Sequence, residues 1–446
     1  MPWRDRALRL IEFVVLAALL AATQVLSALW LLPNGDVDEY HQYALAFWTH
    51  LPLLHTLPAE YPPLAIAPFT LALLPPTGDY HRVFAVWMAA LTLLGYAAFV
   101  RFAGRRRALI YMLYLLLGAT ATLLARFDIV PALVTLAALW AAERRRFALA
   151  YALVAAGTLL KLYPAFLLPV VAIEHWHTLS PGGAPRLTFS AFSRRSLRSL
   201  AARPEARAVT GGVAFCVALI AAGFAGALAL NTQGTLSVFT YAGLRPLQVE
   251  STPASIMWLG SLVGVPALPD YSFVSLNLAG PLEGILRPLS AVALLVGVAA
   301  VYWRQARGKL SVGYAFVGCL SVVLVTNKIF SPQYLIWVLP VVAYVEGFDP
   351  LWVAICVLTW LDFPMIYQTR HPIITVPYNP LFLPVVALRN ALLLWVTVRV
   401  IMRRGPMAGG QRRATRAQVA EAEPASGTGG AARSAGSLST AEPHGG

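Results

Sequence analysis

Three carboxylates crowd into Asn34-Gly35-Asp36-Val37-Asp38-Glu39-Tyr40-His41. A carboxylate partly withdrawn from water and held beside a hydroxyl serves as a general base. Asp36 and Asp38, with the His41 imidazole, could also hold a divalent metal, although solvated loop acids account for the pattern equally well. Glu60-Tyr61-Pro62-Pro63-Leu64 reads as the start of a short helix, where proline is ordinary punctuation. Arg126-Phe127-Asp128 sets a cation two positions from an anion, to pair with each other or with a polar ligand. Lys161-Leu162-Tyr163-Pro164 lies within the otherwise largely apolar stretch 147–173, where a lysine is costly unless it snorkels, pairs or meets an anion. Asn327-Lys328-Ile329-Phe330-Ser331-Pro332-Gln333-Tyr334 repeats the pattern: a lone lysine, a proline break, then Gln333 and Tyr334. Arg245 and Glu250 bring further polar groups, in a stretch read as a flexible loop. Two lone lysines with Arg126 and Arg245 suit one shared anion, and a phosphate fits, since lysine meets it as a point charge and arginine as a fork.

The elements carrying these groups must be membrane helices. Of the 446 residues 58% are hydrophobic and only 12% charged, and mean hydropathy is +0.66, which no water-soluble surface of this size matches. Apolar runs of about 20 residues, each enough for a ~30 Å hydrocarbon core, recur through the chain and leave no room for a soluble catalytic domain. The net charge of +14 would otherwise point to nucleic acid, but its placement decides against it. Of 34 basic residues 26 fall in six groups, 4–9, 101–107, 144–146, 186–207, 304–309 and 399–433, which bracket the apolar runs on one side. That is the positive-inside pattern, and no basic stretch is interleaved with stacking aromatics.

Threading the chain with those groups in the cytoplasm gives about twelve crossings: 10–32, 81–100, 108–124, 129–142, 147–160, 162–174, 209–230, 284–303, 311–327, 333–346, 351–367 and 380–402. The first is read as an uncleaved helix, too long for a typical secretion signal. Parity makes 61–76 a short surface helix and turns 147–174 back near Lys161 and Pro164. Both termini are then cytoplasmic, and the segments 33–80 and 231–283 lie outside, the second with 255–265 at most re-entrant. Residues 1–404 form one membrane unit, and 405–446, poor in apolar groups, is expected to be a disordered tail. Cys216, Cys319 and Cys356 sit in apolar runs as packing residues.

In order along the chain, Asp36-x-x-x-Tyr40, Tyr61-Pro62-Pro63-Leu64, Arg126-Phe127-Asp128, Lys161-Leu162-Tyr163-Pro164 and Lys328-x-Phe330-Ser331-Pro332-Gln333-Tyr334-x-x-Trp337 resemble glycosyltransferase family 87. The resemblance covers roughly residues 10–345. It implies an all-α, polytopic GT-C-like helical bundle with a long external loop after the first helix. It also implies a polyprenyl-phosphate-sugar donor, mannose first among sugars, and inverting transfer to a glycolipid or glycan hydroxyl on the outer face. The acidic base of that class maps to Asp36 by its spacing to Tyr40, with Asp38 as close rival. Lys328, Lys161, Arg126 and Arg245 would stabilise the leaving phosphate. Asp128, Tyr40, His41, Glu60, Tyr61, Tyr163, Glu250, Gln333 and Tyr334 would complete the substrate site. A monophosphate leaving group requires no metal, so neither metal nor other cofactor is expected, and membrane lipids are the remaining partner.

A transporter or flippase is the rival reading, carried mainly by Asp362 within an apolar run; the bland reading of Asp362 is a buried, hydrogen-bonded acid. A noncatalytic envelope scaffold is a third, disfavoured by lone cations gathered opposite carboxylates.

Overall fold

The computed structural model describes residues 11–23, 35–49, 60–76, 78–180, 203–367 and 379–403. The expected tail, the outer half of the first crossing and the tip 368–378 lie outside these.

Helices dominate because the apolar stretches are rich in alanine and leucine, the residues that lose least on entering a helix. In chain order they are α1 (Ile11–Thr23), α2 (Gly35–Thr49), α3 (Ile66–Leu71), α4 (Tyr80–Phe102), α5 (Arg105–Gly118), α6 (Ile129–Glu143), α7 (Phe147–Leu160) and α8 (Leu168–Leu179). After them come α9 (Pro204–Leu230), α10 (Thr232–Leu244), α11 (Thr252–Ser261), α12 (Glu283–Ala306), α13 (Val312–Thr326), α14 (Leu335–Val345), α15 (Pro350–Trp360) and α16 (Phe382–Met402). Side chains close several starts: Asp79 accepts from the Arg82 amide at 3.1 Å, Asn231 from Gly234 at 2.8 Å and Asp349 from Leu351 at 2.9 Å. Proline occupies the first turn of α9, α11 and α15, where its missing N–H costs nothing.

Among the described residues, only α4, α9, α12 and α16 are long and apolar enough by themselves to cross a membrane. The other expected crossings are shorter, 11 to 15 residues in α6, α7, α13, α14 and α15. The core is built where α5, α6, α13, α14 and α15 meet, and α13 is buried along nearly its whole length. By contrast α9 and α12 turn most of their surface outward, which suits helices solvated by lipid.

Two expectations need correction. The described part of the segment after the first helix is no loop: α2, a 3-10 turn at Pro63–Ala65 and α3 follow one another, with Tyr40, Ala65 and Phe69 fully buried. The fold is also not purely helical. The segment read as a flexible external loop carries α10, α11 and an antiparallel sheet of β1 (Leu247–Gln248), β2 (Leu268–Ser272) and β3 (Ser275–Ala279) in the order β1-β3-β2. A second small core of Leu247, Met257, Leu276 and Phe382 holds that segment against α16. Its strands are too short, and β2 too rich in turn residues, for period-two alternation to announce them.

Candidate active site

A cavity of about 570 Å³ opens between α2, the segment at Glu60–Pro62, the break between α7 and α8, the β2–β3 turn, α12 and the α13–α14 connection. Asp36, Glu39 and Glu60 line it, and so do Lys328, Arg245 and Arg287. Tyr61, Tyr163, Tyr241, Phe273, Tyr334 and Trp337 supply aromatic walls, and Ala291, Leu294 and Val323 apolar ones.

Helix α2 turns the rival aspartates in different directions. At about 100° per residue Glu39 and Tyr40 return to the face of Asp36, whereas Asp38 points roughly 200° away. Asp36 and Glu39 line the cavity, while Asp38 pairs with His81 at 2.7 Å. His41 stacks on Tyr80, with centroids 4.3 Å apart, and burial lowers its pKa. Neither Asp38 nor His41 lines the cavity, so Asp36, Asp38 and His41 do not converge on one cation. Tyr40 is fully buried, stacked on Phe69 at 4.2 Å, and belongs to the packing under Asp36.

Arg126 and Asp128 do not pair with each other. Arg126 Nε lies 2.7 Å from Asp36 Oδ2, from a side chain only 14% exposed, so it fixes the direction of that carboxylate from behind. Asp128 takes Lys161. The backbone at Lys161 is extended (φ −158°, ψ 138°), ending α7. Its ammonium turns inward to Asp128 Oδ1 at 2.5 Å, where Trp337 Nε1 also donates. Tyr61, Phe127, Tyr334 and Trp337 surround Nζ at 5.0 to 5.7 Å from their ring centroids. Snorkelling is therefore overturned: carboxylate and ring faces hold the charge in place. Lys161 still lines the cavity, whereas Asp128 and Arg126 stand behind it.

Of the other cavity cations, Arg287 pairs with Glu283 at 3.6 Å, and Lys328 is freer. Lys328 Nζ donates to the carbonyls of Gly243 and Arg245 at 2.8 and 2.7 Å and makes no ion pair among the described residues. Burial, then Arg287 and Arg245, push its pKa down to about 8. An ammonium held by two carbonyls among other cations is poised for an anion. Burial, followed by Glu60 and Asp36, raises the Glu39 pKa to about 7. Glu60 is raised mainly by burial and hydrogen-bonds with Tyr241. Gln333 lines the cavity and accepts from the Ser331 hydroxyl. Tyr163 stacks on Trp337 at 4.5 Å.

Glu250 is misplaced by the sequence reading. It is buried away from the cavity beside Asp362 and Arg389, and burial, then Asp362, raise its pKa. Arg389 Nη1 binds Asp362 Oδ2 at 2.7 Å, both side chains being wholly buried. Glu39, Tyr241 and Arg287 are cavity residues the motif reading passed over. Helical spacing from Asp36 would have found Glu39; nothing local marks Tyr241 or Arg287.

No curated protein and no solved structure matches the chain. Residues 60–193, under a third of the 446, match the sequence model of glycosyltransferase family 87. The matched stretch holds Glu60, Tyr61, Arg126, Asp128, Lys161 and Tyr163, and it supports that family and, with the apolar helices, a membrane glycosyltransferase.

Proposed function

We propose that the protein transfers a hexose, mannose first, from a polyprenyl-phosphate donor to a glycolipid or glycan hydroxyl on the outer face of the membrane, with inversion. The reading includes a GT-C-like bundle of about twelve crossings with cytoplasmic termini. One observation carries it: a single cavity is lined by the carboxylates Asp36, Glu39 and Glu60 and by the cations Lys328, Arg245 and Arg287. An acceptor needs the first set and a departing phosphate the second.

In the proposed step the acceptor oxygen attacks the anomeric carbon as its bond to the phosphate oxygen breaks. Asp36, aimed by Arg126, takes the hydroxyl proton, and the polyprenyl phosphate departs with one more negative charge. Lys328, Arg245 and Arg287 meet that charge where it develops, and preorganised cations in a partly dry site act most strongly there. Lys161 and the rings around it shape the cavity wall. The transporter reading loses its main support, because Asp362 is committed to Arg389.

The test is transfer of radiolabelled mannose from polyprenyl-phosphate-mannose to a glycolipid extract in membranes. Asp36→Asn should lose roughly 10²-fold or more, the weight of a general base, and Asp38→Asn should stay close to wild type. Equal loss in both would remove Asp36 as the base. A wild type inactive with every lipid-linked hexose and pentose would remove the enzyme reading.

A further inference from the structure

Between α9 and α12 the chain runs through α10, α11 and the sheet, a stretch assigned from the sequence to the aqueous side. Its surface is not that of a water-facing domain. Residues 232–282 hold only three charged side chains, Arg245, Glu250 and Asp270, where an average soluble surface would carry about one residue in four. Two of the three are turned inward: Arg245 lines the cavity and Glu250 is buried. Asp270 accepts from the Ser272 hydroxyl at 2.6 Å.

What faces outward is apolar. Phe239 and Leu244 on α10, Leu259 and Val263 on and after α11, Leu268 on β2 and Val274 at the β2–β3 turn are all exposed, Val263 at 81% and Val274 at 78%. The segment joins, along the chain, two helices whose outer faces suit lipid. Helix α10 starts one residue after α9 ends, and α12 follows the sheet within a few residues. Both α9 and α12 are apolar membrane-crossing helices with most of their surface outward.

The turn supplies an independent observation. Phe273 and Val274 both take positive φ, 55° and 52°, in a two-residue connection between the paired Ser272 and Ser275. Such turns favour Asn-Gly, and positive φ in a β-branched residue is strained. Phe273 packs edge-on against Tyr241, with centroids 5.6 Å apart; the β-branched Val274, kept at a strained and exposed tip, is explained by a contact the tip makes.

We propose that the segment 232–282 is immersed in the lipid leaflet on the side where the cavity opens, its exposed side chains lying among head groups and upper acyl chains. Phe273 and Val274, which also line the cavity, then form a lip within the lipid. A lipid-borne substrate reaches the site sideways without leaving the leaflet. The immersion stands on surface chemistry alone and does not depend on which group the enzyme transfers.

The test uses full-length protein in lipid nanodiscs, spin-labelled at Val263→Cys or Val274→Cys and read by collision with oxygen, which partitions into lipid, and with a water-soluble nickel chelate. Leu295→Cys on the exposed face of α12 is the lipid control and Lys309→Cys, exposed between α12 and α13, the water control. The native cysteines are buried, and unsubstituted protein measures their background. Immersion predicts oxygen-to-nickel ratios at both sites shifted towards the Leu295→Cys value. Ratios equal to that of Lys309→Cys would overturn the proposal. Labels shielded from both reagents would overturn it too, since that is the signature of a covering protein. Phe273→Asn/Val274→Gly relieves the turn and so keeps the hairpin folded; in that background the Val263→Cys ratio should move towards water, and an unchanged ratio counts against the tip as an anchor.

Discussion

Asp36 and Glu39 stand one helical turn apart on the same wall, yet a partner separates them: Arg126 lies against Asp36, whereas Glu39 has burial and two neighbouring carboxylates pressing its proton on. In the folded state Glu39 therefore holds its proton to about pH 7, against an ordinary value of 4.5. Between those two values the folded protein binds more protons than the unfolded one, so stability falls as pH rises. The contribution is fully present below about 4.5 and lost above about 7. Glu39→Gln should show no such loss: its advantage over wild type is nil near pH 4.5 and reaches a plateau above pH 7. Thermal unfolding of purified protein in detergent across that range checks it, and parallel curves for the two proteins would show that Glu39 is not held protonated. The same comparison explains why residue types alone left Asp36 and Asp38 level. Both are acids in the first turn of α2, and only the direction each faces, towards the cavity or towards His81, tells them apart.

At the scale of elements, contact quality is set by small residues. Gly211 and Gly212 are adjacent on α9, but a methyl group at Gly212 would overlap the Tyr151 ring of α7, while one at Gly211 meets nothing within 4 Å. Gly212→Ala should cost about 1–3 kcal/mol by overpacking; Gly211→Ala should gain about 0.5–1 kcal/mol, because alanine is the better helix former. Unfolding of the two variants side by side measures this, and equal effects would mean that α9 and α7 do not pack through Tyr151. Many of the elements were legible because hydropathy runs and helix lengths are local: the expected 81–100 and 284–303 stand beside Tyr80–Phe102 and Glu283–Ala306. The break at Lys161 and Pro164 was legible for the same reason. The sheet was not, since Leu268-Pro269-Asp270-Tyr271-Ser272 has neither alternation nor β-branched residues. Partner choice was not legible either. Lys161 meets Asp128, and Arg126 meets Asp36, through contacts that cross the fold and leave no spacing signal in the chain.

At the scale of the whole molecule, pieces far apart in the chain meet at Arg389. Its guanidinium binds Asp362 after α15 at 2.7 Å and the Glu250 carbonyl at 2.5 Å, with Phe330 stacked 4.2 Å from its carbon. Asn390 adds bonds to the Glu250 carbonyl at 3.1 Å and to Ser255 on α11 at 2.8 Å. From there Gln248 N reaches the Lys328 carbonyl at 3.0 Å, so the knot is linked by backbone to the cationic end of the cavity. Arg389→Met leaves the Asp362 charge buried without compensation and should cost about 3–5 kcal/mol, whereas Arg389→Met/Asp362→Leu removes both charges and should recover most of that loss. Arg389→Lys should resemble the methionine variant more than wild type, because one ammonium does not reproduce a planar fork reaching both acceptors. Melting curves of these three variants, and of Asp362→Asn beside them, decide it in detergent. A double variant no more stable than Arg389→Met would mean that the knot acts through shape rather than charge. An acid that must load and release a coupling proton works against so tight a partner, so the same experiment bears on transport: if Asp362→Asn alone is as stable as wild type, the lock is weak and Asp362 is free to exchange its proton.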